Sequence, residues 1–113
     1  MLGSYYERVM DAADAAGNRF DLLVRIGLPE ASISNGYPIF ECTFELSLAD
    51  VYESYTIGGL DEIEALYLAY LSVGSIITEL REEYAITWHG EPSIGLPNAG
   101  DPMMGGSADG GAS

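Results

Sequence analysis

No lysine occurs in this chain of 113 residues, and its only cations, Arg8, Arg19, Arg25 and Arg81, stand against 18 Asp and Glu for a formal net charge of -14. The missing lysines fit a codon bias toward G and C. The acidity excludes direct DNA or RNA binding, because that rests on basic side chains displacing counterions from phosphates. Cysteine is nearly as scarce. Cys42 stands alone, which rules out an intrachain disulfide or a Cys-based zinc site and fits a reducing cytoplasm. Histidine occurs once, and no G-x-S-x-G elbow or local Cys–His signature surrounds His89, so it reads as a strand-end or loop residue rather than a general base. A membrane span needs roughly 20 mostly apolar residues. The run from Ala65 to Ile77 is shorter, contains Ser72 and Ser75, and is flanked by carboxylates rather than the cations of the positive-inside pattern. The opening MLGSYYERVM has no basic region leading into an apolar run, so the chain is expected to start near Met1 without a secretory signal.

What is present is organised around Leu60 to Glu83, LDEIEALYLAYLSVGSIITELREE. Asp61 followed by Glu64 forms a capping box, and Glu62 and Glu64 suit the positive end of a helix dipole, so a helix is expected from about Asp61. Ile63, Leu66, Tyr70, Val73, Ile77 and Leu80 recur at helical spacing and predict a buried stripe, widened by Leu68, Leu71 and Ile76. Ala65, Ala69, Ser72 and Gly74 are small enough for close approach to a sheet, and Gly74 inside a helix costs about 1 kcal/mol against alanine, which points to tight packing there.

Before that helix, Ser4 and Glu7 repeat the capping-box spacing and Tyr6, Val9, Met10 and Ala13 follow at helical intervals, predicting a short N-terminal helix stopped by Gly17-Asn18. From Phe20 the period changes to two. Phe20, Leu22, Val24 and Ile26 share one face of a strand, and Phe40, Cys42, Phe44 and Leu46 share one face of a second, with Glu41 and Glu45 opposite. Antiparallel pairing would set Arg25 beside Glu41 or Glu45 on a solvated face. Glu30 to Gly36 reads as a polar hairpin connection, and Leu48 to Ile57 as a loop with a short strand stopped by Gly58-Gly59. Carboxylates behind those glycines occupy the place an anion would take at the helix start, so no phosphate site is expected. Tyr84 to His89 predicts a last strand. From Asn98 the chain is Gly, Ala and Ser with two Asp, a composition that does not offset chain entropy. One α+β domain over residues 1–97 is therefore expected, with a mainly antiparallel sheet of three or four strands covered by one long helix, and a disordered tail over 98–113.

The order NRFDLLVRIGLPE, an F-x-C-x-F strand, GGLDEIEALYLAYLSVGSIITEL and WHGEPSIGLP resembles a group of small, uncharacterised bacterial proteins. They share a strand ending R-I-G-x-P, a helix opening G-x-D-x-x-x-A-L-x-L-A and a closing G-x-P loop, and commonly carry Gln where Glu64 stands. That resemblance, covering about Asn18 to Pro97, implies an α+β fold and no known activity. A similar helix opening occurs among small bacterial immunity proteins.

Catalytic chemistry finds little support in the residues. Cys42 alternates with Phe40 and Phe44 and reads as a core residue. Glu79, Glu82 and Glu83 diverge around a helix without a following His, which suits a solvated face better than a metal site. No catalytic residue, metal or cofactor is expected. Exposed Tyr37, Tyr52, Tyr55 and Tyr67 are expected among Glu41, Glu45, Asp50, Glu53 and Glu64, and with Trp88 they make a candidate partner-binding surface, since Trp and Tyr supply much interface energy. The expected function is non-enzymatic binding of a basic protein partner, such as a toxin or nuclease, by an immunity or inhibitor protein. An acidic nucleic-acid mimic acting against a defence enzyme is the alternative, and needs carboxylates spread along an extended face. A small enzyme or metal-binding domain is a third, and needs His89 beside Cys42 or a carboxylate pair.

Overall fold

The structure, a computed structural model, describes residues 3–91. The expected disordered tail lies outside them. Six strands and one helix run in the order β1 (Tyr5–Ala13), β2 (Arg19–Gly27), β3 (Glu30–Ser34), β4 (Tyr37–Leu48), β5 (Val51–Gly59), α1 (Glu62–Leu80) and β6 (Ala85–Thr87). All strand pairs are antiparallel. The α+β class and the single long helix are as expected; the number of strands and the N-terminal element are not.

Residues 5–13 form a strand, not a helix. Met10 and Ala12 are buried while Val9 and Asp11 are exposed, a period of two that the Ala-rich DAADAAG run conceals. β1 pairs with β2 on one side and β6 on the other, and those ladders override helix propensity. The Gly17-Asn18 stop is a hairpin turn. The Asp14 carboxylate accepts from Ala16 N at 3.0 Å, Asn18 N at 2.9 Å and Asn18 Nδ2 at 3.1 Å, and Gly17 takes the left-handed φ of 86°.

Of the expected connection over 30–36, residues 30–34 form a strand and only Asn35 and Gly36 a turn. β2 and β3 lie end to end along one edge of β4, because Ile26 pairs with Phe44 and Glu30 with Glu41, leaving one extra residue bulged at Gly27-Leu28-Pro29. Asn35 and Gly36, at φ 50° and 82°, close this long hairpin in the two-residue form that Asn-Gly favours. β5 is a full nine-residue strand rather than a loop and short strand, paired with β4 from Leu48↔Val51 to Phe40↔Gly59.

The chain thus meanders from β1 to β5, then α1 crosses one face of the sheet from the β5 edge to the β6 edge. Met10, Leu22, Val24, Cys42, Phe44, Leu46 and Ile86 supply the bulk of the core, and α1 meets them with Ala65, Ala69, Val73, Gly74 and Ile77. Ala65, Ala69 and Gly74 let the helix lie close to the sheet, while Val73 and Ile77 fill the space between the layers. One expectation is corrected: Ile63, expected in the core, is 80% exposed, because the buried face of α1 runs through Ala65, Ala69 and Val73 instead. Leu66, Tyr70, Phe20 and Phe40 flank the core half-buried. The expected cap is present, with Asp61 Oδ1 accepting from Glu64 N at 2.7 Å, and the Glu64 carboxylate reaches back one residue further than in a strict capping box, accepting from Leu60 N at 2.7 Å.

Candidate functional site

The outer face of the sheet, away from α1, is polar and internally paired. Glu7, Arg25 and Glu45 stand opposite one another across β1, β2 and β4. Arg25 Nε donates to Glu7 Oε2 at 2.7 Å, and its Nη1 lies 3.9 Å from Glu45 Oε1. Tyr52 hydrogen-bonds Glu45, which raises the pKa of the phenol above its ordinary value. Glu45 is therefore nearly buried, 9% exposed, under side chains that already use its carboxylate. Thr43 and Thr56 hydroxyls bond at 2.8 Å across β4 and β5 on this face.

The opposite face holds a different surface. Between the edge strand β5 and α1 lies an open groove of about 380 Å³ lined by Phe44, Tyr55, Ile57, Leu71, Ser72, Ser75 and Ile76. The Tyr55 ring packs on Phe44 with centroids 5.4 Å apart. The Tyr55 hydroxyl donates to Glu53 Oε1. That bond, then desolvation and the nearby charges of Glu53 and Glu79, push the Tyr55 pKa up. The groove thus has an apolar floor and a carboxylate rim.

The ten residues expected to bind a partner are spread over these surfaces. Tyr55 and Glu53 flank the groove, Tyr67 projects from α1 with 42% exposure, and Asp50 is exposed in the β4–β5 turn. Glu41, Glu45 and Tyr52 belong to the outer face, and Tyr37 stands 72% exposed beside the Asn35-Gly36 turn. Glu64 reaches back from the first turn of α1 to Leu60 N. Trp88 sits at the other side of the sheet, after β6, with the Arg8 guanidinium 3.6 Å over its ring and the His89 ring tilted against it at 4.7 Å. Alternation alone could not have found the groove, because Leu71 and Ile76 come from α1 and Tyr55 and Ile57 from the strand before it, and nothing local shows that the two face each other.

His89 takes a φ of 54° in the turn between Trp88 and Glu91. Cys42 is buried mid-strand, its Sγ donating to Gly27 O at 3.2 Å, and burial raises its pKa. Among the described residues no group of three His, Cys, Asp or Glu side chains could hold a metal ion. A family model described as a domain of unknown function, DUF6968, matches residues 6–98. The chain belongs to the DUF6968 family. No curated protein and no solved structure matches it. Both the groove and the paired outer face lie wholly within the DUF6968 match.

Proposed function

We propose that this protein is a non-enzymatic, acidic binding protein that engages a basic protein partner stoichiometrically, as an immunity or inhibitor protein does with a toxin or nuclease. The observation that carries this reading is the segregation of charge. No basic residue occurs between Arg25 and Arg81, so β3, β4, β5 and α1 contain no cation, while Asp50, Glu53, Asp61, Glu62, Glu64 and Glu79 lie on β5, α1 and the turns beside them. Such a one-signed surface attracts cationic proteins and accelerates their association. Tyrosines beside the carboxylates supply contact area with little entropy cost. Glu45 contributes little, because Arg25 and Tyr52 hold its carboxylate. The likeness of the helix opening to small immunity proteins supports the same reading. Affinity capture on immobilised protein, followed by titration calorimetry of the retained species, tests it. A basic protein bound one to one, and released by Asp50→Lys, Glu53→Lys and Glu79→Lys together, is expected. Retention of no basic protein at low salt overturns the reading.

A further inference from the structure

The helix α1 is apolar around most of its circumference yet only partly covered. By length and composition it could cross a membrane, yet only Ala65, Ala69, Val73, Gly74 and Ile77 of its residues are buried. Ile63 and Tyr67 are 80% and 42% exposed on the side of α1 turned away from Ala65, Ala69 and Val73, and Leu60, just before the helix, is 79% exposed. No charged residue lies between Glu64 and Glu79. Leu71 carries this apolar surface into the groove beside Tyr55 and Ile57. A helix apolar on both sides is ordinarily covered on both sides.

The charges at its two ends decide what covers it. Asp61, Glu62 and Glu64 are exposed at the start of α1, and Glu79, Glu82 and Glu83 at its end. Arg81, between them, donates to Ile86 O at 3.1 Å. Nineteen residues separate these clusters by about 28 Å at 1.5 Å per residue. A second copy packed antiparallel would set carboxylates against carboxylates at both ends, and an anionic membrane surface would meet the same repulsion. An apolar ridge with cations at each end meets none.

We infer that the outward face of α1, with the groove beside it, docks an amphipathic helix of the basic partner, whose apolar side lies along Ile63, Tyr67 and Leu71 and whose Lys or Arg residues reach the two acidic ends. This inference rests on the proposed binding of a basic partner and names the segment it would recognise. It is the helix-in-groove mode of recognition, with apolar anchors at helical spacing and a charged rim.

The test uses a synthetic helical peptide of about 20 residues, matched to α1 in length, with leucines along one face and lysines at both ends, and a second peptide of the same composition in shuffled order. Fluorescence anisotropy is expected to give tight binding of the first and weak binding of the second. Ile63→Asp is the decisive variant. It lies 80% exposed in the first turn, where an added carboxylate suits the helix dipole, so the fold is kept. It also adds negative charge, so a purely electrostatic interaction would tighten, whereas docking on this face is expected to weaken by at least about tenfold. Equal binding of both peptides, unchanged by Ile63→Asp, overturns the docking face while leaving the acidic-binder reading standing. A wild-type chain that ignores both peptides, dimerises through this face in sedimentation, or floats with zwitterionic vesicles overturns it as well.

Discussion

Replacing Gly59 by alanine puts a methyl carbon 2.5 Å from Ala65 N, 2.8 Å from Ala65 Cα and 3.0 Å from the Glu64 carbonyl carbon. These are backbone atoms of the first turn of α1, so no side chain can swing aside. Restoring ordinary contact at about 3.4 Å requires the helix start to retreat by about 0.9 Å at Ala65 N, the closest atom. Overpacking of that kind costs about 1–3 kcal/mol, and loosening the Asp61 cap adds about 1 kcal/mol. Gly59→Ala should therefore destabilise the fold by about 2–4 kcal/mol. Gly58→Ala is the internal control. Its methyl group meets only the Ile39 Cδ1 atom, at 3.5 Å, and lower unfolded-state entropy should make it neutral or stabilising by up to about 1 kcal/mol. Urea denaturation followed by circular dichroism measures both, with equal m-values showing that only stability has changed. If Gly59→Ala unfolds within about 0.5 kcal/mol of Gly58→Ala, α1 does not rest on the Gly59 backbone and the docking of helix to edge strand described above is wrong.

Val73→Ala, at a position 0% exposed, should lower stability by about 1–3 kcal/mol, whereas Ile63→Ala should change it by less than about 0.5 kcal/mol; parallel denaturation curves would contradict the orientation of α1 if the order reversed. Hydrogen bonds from Asn18, first from its side-chain amide and then from its backbone N–H, hold the Asp14 carboxyl below its usual pKa. A depressed folded pKa gives stability that is present above the unfolded value and lost as pH falls through the folded one. The β1–β2 hairpin should weaken across that acidic range, and a pH profile of thermal unfolding unchanged by Asp14→Ala would refute this. Tyr52 and Tyr55 should ionise above the ordinary tyrosine range because Glu45 and Glu53 accept from them, so Glu53→Gln should bring one of the late-titrating phenols down in an ultraviolet titration. Ala49, at the left-handed φ of 55°, should tolerate Ala49→Gly with a gain of about 1 kcal/mol, and a loss would show that the turn is built otherwise.

The sequence carried β2, β4 and the start of α1 well, and β1 and the first half of β5 poorly. Phe20 to Ile26 and Phe40 to Leu46 alternate cleanly because one face of each is in the core, and their strands and inward faces are as read, with Arg25 opposite Glu45. Asp61 and Glu64 announced the start of α1 because a cap is a local device. β1 was hidden because capping-box spacing and alanines also describe a helix, and the ladders from β2 and β6 are invisible locally. Only the second half of β5 was legible as a strand, because an edge strand places polar and aromatic residues on both faces, so Glu53 and Tyr55 share a side with Ile57. Asn35-Gly36 is the one missed signal that was local and strong. For the candidate site, the exposed tyrosines and carboxylates were legible as types. Their division between a paired outer face, an apolar groove and the Trp88 edge depends on which strand neighbours which.

The salt dependence of association tests the proposed function most directly. Association with the captured basic partner, measured by stopped-flow mixing, should be fast at low ionic strength. It should fall steeply by about 1 M salt, where the Debye length shrinks to about 3 Å. Asp50→Lys, Glu53→Lys and Glu79→Lys together should slow it and flatten that dependence. A wild-type rate that ignores salt, or a triple variant that associates as fast and as salt-dependently as the wild type, would contradict the claim that this acidic side of the fold exists to meet a basic protein.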